Sequence, residues 1–166
     1  FIKQVLMWLG LYSTKEIEIM EYIPLPPIKM ETLQEKMIRV AQEALDTDVS
    51  PLNQAPKELS CAEGVSNLIK KVFPDFTITT GTSTLFTQLK NDKRFKATLT
   101  PSIGCVIVSP RIGDRAGHTG IFITNDRVAS NDSKTGLWKG NYTFDSWIKT
   151  FKYSRNLHTY LFEIIN

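Results

Sequence analysis

Cys61 is the first residue whose type and position predict chemistry. It follows Leu59 and Ser60 and opens a segment with helical spacing of apolar residues. A thiol in the first turn of a helix lies beside unpaired backbone N–H groups and the positive end of the helix dipole, and both favour the thiolate. The same N–H groups can hold the oxyanion that forms when a thiolate attacks a carbonyl carbon. The position alone is equally compatible with a small buried side chain, the usual role of a free cysteine.

His118 is the matching candidate for a catalytic base. It lies between a polar loop over residues 110–117 and an apolar strand, with Gly117 before it and Gly120 two residues after it. A histidine at such a junction can project into a cleft, and small neighbours let a substrate backbone approach. Because an imidazole titrates near neutral pH, His118 could accept the proton of a nucleophilic thiol. The alternative is a surface histidine at the edge of a strand.

A third polar residue is expected on the strand that follows the next turn. An Asn-Asp pair at positions 125–126 separates two apolar runs, and this predicts a tight hairpin that brings the second run beside His118. A polar side chain there can accept the imidazole N–H and fix the tautomer, as the third member of a catalytic triad does. We expect Asn131 in this role. Ser130 and Asp132 stay open as alternatives, because a shift of one residue changes the face of a strand.

Three further residues are candidates for substrate binding. Ser60 precedes the proposed nucleophile, Gly117 precedes the proposed base, and Trp138 lies in a segment that contains Gly and Asn and is predicted to be a loop. Trp138 and Tyr142 have two possible roles: their rings line a groove that holds the substrate, or they cover the core.

The composition does not indicate a metal centre or a nucleic-acid interface. The formal net charge is +3, and the Lys and Arg residues are scattered rather than gathered into a stripe. The two cysteines and two histidines lack the close pairwise spacing of zinc ligands, and two cysteines are too few for a disulfide framework. We therefore expect neither a metal nor another cofactor, and no nucleic-acid partner.

The elements that position these residues change type along the chain. The apolar spacing predicts helices over residues 32–45, 60–73, 82–89 and 144–151. It predicts strands over residues 96–99, 105–109, 119–124, 127–130 and 159–165. Helices that precede an antiparallel sheet give an α+β fold, with the helices packed on one face of the sheet.

Residues 1–30 are predicted to be an extension or linker in front of a single domain over residues 31–166. The first twelve residues are apolar, and three prolines between positions 24 and 27 favour an extended connection. The alternative is a tether to a membrane or a larger assembly. No apolar run reaches the roughly 18–20 residues that cross a bilayer, and we expect no complete signal peptide.

The chain resembles the NlpC-like and CHAP-like cell-wall hydrolases in three segments that occur in order, namely SCAEGVS at 60–66, GCVIVS at 104–109 and GHTGIF at 117–122. The resemblance extends from about residue 32 to the C-terminus. It implies a papain-like domain with Cys61 at a helix N-terminus as nucleophile, His118 as base and a polar third residue, here Asn131. It also implies cleavage of peptide or amide bonds in the stem peptide of peptidoglycan, without a cofactor.

The resemblance further implies an extracellular, periplasmic or virion-associated location, since members include phage lysins, tail-associated lysins and secreted autolysins. Two other functions stay open. One is an antibacterial amidase effector or another thiol amidohydrolase, and the other is an inactive papain-like module with a binding or structural role.

Overall fold

The computed structural model describes residues 30–52 and 55–165. Apart from Met30, the predicted N-terminal extension lies outside these residues, so the division at residue 30 stays a prediction. Within the described ranges, no helix combines the length and the apolar character needed to span a membrane.

The predicted helices are present, with ends that differ by a few residues. The α-helices are α1 Leu33–Glu43, α2 Cys61–Val72, α3 Thr82–Asn91 and α4 Phe144–Trp147. A 3₁₀ turn, Lys57–Leu59, leads into α2, and a π-helix, Ile148–Ser154, follows α4 directly. Single π-helical turns are rare and often occur at functional sites.

Six strands form one antiparallel sheet in the order β1-β6-β2-β3-β4-β5. They are β1 Phe95–Thr98, β2 Val106–Ser109, β3 His118–Phe122, β4 Arg127–Asn131, β5 Trp138–Thr143 and β6 Tyr160–Ile164. The fold is therefore α+β, as the sequence predicts.

Strand β5 corrects one prediction, because its residues were expected in a loop. The segment contains Lys, Gly and Asn, which are poor strand formers, and its pairing with β4 is irregular between Val128 and Ser130. Its pairing with β4 and the burial of Trp138, which is 0% exposed, hold it in the sheet.

The two faces of the sheet are covered differently. Helices α1, α2 and α3 enclose the larger hydrophobic core on one face. The other face carries a smaller core to which α4 and the π-helix contribute Trp147 and Phe151. The predicted hairpin between β3 and β4 is confirmed and pairs Gly120 with Ser130. Because alternate strand residues share a face, this register puts His118 and Ser130 on the same side of the sheet.

Candidate active site

Cys61 is the first residue of α2, and the turn before it is fixed to the sheet. The carbonyl of Lys57 accepts a hydrogen bond from Ser60 Oγ at 2.9 Å and another from Asn131 Nδ2 at 2.6 Å. Asn131 is the last residue of β4. The position of the thiol is therefore determined by α2 and by a direct bond from β4 to the turn.

His118 is the first residue of β3, and aromatic side chains surround its imidazole. The ring stacks on Phe151 with centroids 5.1 Å apart and on Trp147 with centroids 5.2 Å apart. Tyr142 meets it edge to face at 5.7 Å. The π-helix supplies Phe151, so this segment limits the orientations that the imidazole can take.

Ser130, and not Asn131, lies against the imidazole. His118 Nε2 is 3.0 Å from Ser130 Oγ, and the Ser130 hydroxyl donates to Asn141 Oδ1 at 2.8 Å. Since the hydroxyl proton is used on Asn141, Ser130 Oγ accepts the proton of His118 Nε2. The lone pair of the imidazole is then on Nδ1, which is the form that a general base requires.

The expectation for Asn131 fails because its side chain points to the opposite face of β4 from Ser130. Its amide N–H holds the Lys57 carbonyl instead. Asp132 does not contact the imidazole either: its carboxylate accepts from the backbone N–H groups of Lys134 and Thr135 in the following turn.

Of the three predicted substrate-binding residues, Gly117 alone lines the cleft that also contains Cys61 and His118. A Cβ at this position would collide with Thr82 Oγ1 and lie 2.5 Å from Ser109 O, so the close packing of the loop requires glycine. Ser60 is buried and bonded to its own turn. Trp138 is fully buried, and its indole N–H donates to Ala41 O at 2.9 Å, so it belongs to the core rather than to a groove.

Cys61 and His118 line the same cleft, which has a volume of about 590 Å³. Its walls combine an apolar part with charged side chains of both signs. The apolar part contains Leu59, Tyr142 and Phe151, and the charged side chains are Glu58, Arg111, Asp114 and Arg155. Such a cleft is large enough for a short peptide segment.

Burial keeps both proposed catalytic groups neutral in the ligand-free site. It raises the pKa of the Cys61 thiol to about 11, although backbone groups of Thr119, Ala62 and Cys61 itself act in the opposite direction. Burial also lowers the pKa of His118 to about 3, and the positive charge of Arg155 lowers it further. Burial of the thiol therefore opposes the thiolate form that the position at the start of α2 favours.

Asn141, Trp147 and Phe151 are site residues that the sequence analysis did not assign. The spacing of Trp147 and Phe151, four residues apart in a predicted helix, indicated one shared face but not what it would cover. Among the described residues, no group of three or more His, Cys, Asp or Glu side chains is arranged to hold a metal ion.

Comparison with known proteins reveals a likeness in structure. Neither a model of a protein family nor a curated protein sequence matches the chain. A chain in the crystal structure of the type VI native effector-immunity complex Tae3-Tai3 from Ralstonia pickettii has a similar fold, with a TM-score of 0.53 and 15% sequence identity. The match covers 78% of this chain and 97% of that chain. The likeness supports the α+β fold with helices packed on an antiparallel sheet, which is compatible with a papain-like domain.

Proposed function

We propose that this protein is a cysteine hydrolase that cleaves amide bonds through Cys61 and His118. The observation that carries the proposal is the geometry of one cleft. A thiol at a helix N-terminus and an imidazole whose Nδ1 makes no hydrogen bond with a described residue both line it. A serine and an amide on the next two strands orient the imidazole.

The proposed reaction begins with proton transfer from Cys61 Sγ to His118 Nδ1. Because both groups rest in the neutral form, this transfer is coupled to the formation of the S–C bond rather than completed before it. The backbone N–H groups at the start of α2 stabilise the negative oxygen of the tetrahedral intermediate. The C–N bond then breaks, and the imidazolium returns its proton to the departing amine.

The second half of the reaction hydrolyses the thioester left on Cys61. His118 takes a proton from water, and the resulting hydroxide oxygen attacks the thioester carbonyl. Collapse of this intermediate breaks the C–S bond, releases a carboxylic acid and restores the thiol with the proton held on His118. Ser130 and Asn141 do not exchange protons with the substrate in this scheme; they hold the tautomer of His118 that has its lone pair on Nδ1.

The substrate that we propose is the stem peptide of peptidoglycan, which would place the protein in the periplasm or outside the cell. Support comes from the three ordered segments that resemble NlpC-like and CHAP-like hydrolases. An open cleft lined by both charged and apolar side chains fits a short peptide that contains both kinds of group. Within this proposal, a phage lysin or tail-associated lysin is one setting.

A second setting is that of an antibacterial effector with an immunity protein as partner. One observation favours it: a structural neighbour comes from a type VI effector-immunity complex. The chemistry at Cys61 would be the same in both settings. A third candidate, an inactive papain-like module, would retain the fold without the reaction.

The test is the analysis of soluble products from purified bacterial sacculi. We expect new free amino groups and no new reducing sugar ends, since an amidase or endopeptidase leaves the glycan intact. Mass spectrometry of the products then names the bond. If several wall types yield no product, but small amides are hydrolysed, the wall substrate is wrong. If no amide is hydrolysed at all, the inactive module is correct.

A further inference from the structure

We propose that Arg111 and Arg155 form a carboxylate-binding subsite in the cleft, so that the preferred substrate is an acidic peptide with a carboxylate close to the scissile amide. This inference rests on the proposed amide hydrolysis and adds the substrate class that the site selects.

The first argument is the difference between these arginines and two others of the domain, Arg39 and Arg94. Arg39 pairs with Glu31 at 2.8 Å and with Glu43 at 3.2 Å. Arg94 pairs with Asp75 and with Asp92, each at 2.6 Å. Arg39 and Arg94, which do not line the cleft, are thus each neutralised by two carboxylates.

Arg111 and Arg155, by contrast, form no ion pair with any carboxylate in the described parts of the chain. Arg111 donates from Nε to Gly113 O at 2.8 Å, and Arg155 donates from Nη1 to Ala116 O at 3.3 Å. These bonds go to backbone carbonyls, which leave the positive charge uncompensated. The remaining guanidinium N–H groups make no hydrogen bond with another described residue.

The side chain of Arg155 is nevertheless held in place, as a binding site requires. The guanidinium of Arg155 lies over the ring of Phe151, 5.0 Å from its centroid. The backbone around Arg155 is in turn bonded by Arg115, which donates to Asn156 O at 3.0 Å. An arginine that is fixed at one end and open at the other loses little side-chain entropy when it binds an anion.

The subsite lies next to the proposed chemistry. Phe151 stacks on His118 and also lies under Arg155, so one aromatic ring connects the base and the cation. Both arginines line the cleft that contains Cys61. A carboxylate bound there would therefore belong to the residue that carries the scissile bond or to its immediate neighbour.

The acidic side chains of the cleft do not occupy this subsite. Glu58 precedes α2, and Asp114 is in the same loop as Arg111, yet neither lies within ion-pair distance of Arg111 or Arg155 in the described structure. A planar carboxylate from a ligand can accept two parallel N–H bonds from one guanidinium, which makes it a better partner than a single-point anion.

The experiment compares two synthetic peptide amides that differ only in a carboxylate or a carboxamide beside the scissile bond. For the wild type we expect kcat/KM to be roughly 10- to 100-fold higher for the carboxylate, the factor expected for a hydrogen bond to a charged group. In Arg155→Met and in Arg111→Met the preference should fall towards one, mainly through KM. Arg127→Met is the matched control: Arg127 is exposed, makes no ion pair in the described structure and does not line the cleft, so this variant should keep the wild-type preference.

Equal rates for the two peptides with the wild type would overturn the subsite while the amidase proposal stands, provided that hydrolysis depends on Cys61. Retention of the preference in both Arg variants would overturn it too. If neither peptide is hydrolysed, the amidase proposal fails. The subsite is then tested by the dissociation constants of the two peptides for Cys61→Ala, where a ratio near one refutes it.

Discussion

The reactivity of Cys61 towards iodoacetamide follows directly from its burial and is expected to be low at neutral pH. The pKa of the thiol is about 11. At pH 7.5 about 0.03% of it is thiolate, against roughly 10% of a free cysteine with a pKa near 8.5. The thiolate population is therefore lower by a factor of about 300.

Two further effects change this factor in opposite directions. A more basic thiolate is a better nucleophile, and a Brønsted slope of about 0.4–0.5 makes the thiolate of Cys61 roughly tenfold more reactive than that of free cysteine. Cys61 is only 3% exposed, and limited access slows the reaction again. We therefore expect alkylation at pH 7.5 to be at least about 20-fold slower than that of free cysteine, with a rate that rises about tenfold per pH unit.

The assay is intact-protein mass spectrometry after timed alkylation. It should use Cys105→Ala as background, because Cys105 is the second free thiol of the chain. His118→Gln is the informative companion: since the imidazole is neutral, its loss should leave the rate of alkylation almost unchanged. A fast rate that stays constant below pH 7, and that is lost in His118→Gln, would reveal a thiolate–imidazolium pair and refute the burial argument.

Three more predictions concern Ser130, Asn131 and His118. Ser130→Ala should lower kcat about tenfold with little change in KM, because a bond worth about 1–1.5 kcal/mol no longer fixes the tautomer of His118. Steady-state kinetics on a model amide measures this, and an unchanged kcat would show that Ser130 does not orient the imidazole. Asn131→Ala should lower the free energy of unfolding by about 1–3 kcal/mol, because it leaves the Lys57 carbonyl without its shortest bond, and urea denaturation measures this. The pKa of His118 is about 3 in the folded protein, so the imidazole takes up a proton at a higher pH in the unfolded chain than in the folded one. The free energy of unfolding should therefore fall as the pH drops below about 6.5, by at most about 1.4 kcal/mol per pH unit. In His118→Gln that part of the pH dependence should disappear, and an unchanged profile would show that burial does not perturb the imidazole.

The sequence was sufficient for the elements that have a clear apolar period. Helix α2 and the strands β3 and β4 carry that period, and the Asn-Asp turn fixes the hairpin between the two strands. These elements place Cys61 and His118 on one cleft, and the resemblance to papain-like hydrolases pointed to the same two residues.

The third polar residue could not be identified from the sequence, because the sequence does not give the register of β4 against β3. Asn131 and Ser130 are neighbours on β4, and the choice between them depends on which face of the strand meets His118. A slip of one residue reverses that face. The bond from Ser130 to Asn141 depends in addition on β5, which was not predicted because tertiary pairing rather than local propensity holds it in the sheet.

The ionisation of the site was also beyond the sequence. The sequence places Cys61 at the start of a helix, where the helix dipole favours the thiolate. The desolvation that opposes it comes from the burial of the thiol, which only the folded chain shows. For the same reason Trp138 looked like a groove residue although it is fully buried.

The most direct test of the proposed function is the release of free amino groups from sacculi by three forms of the protein: wild type, Cys61→Ala and Cys105→Ala. Both cysteines are buried free thiols, so Cys105→Ala controls for the loss of a buried thiol outside the cleft. The wild type and Cys105→Ala should release amines at similar rates, and Cys61→Ala should release none above background. Release by Cys61→Ala at the wild-type rate would contradict the assignment of Cys61 as the nucleophile.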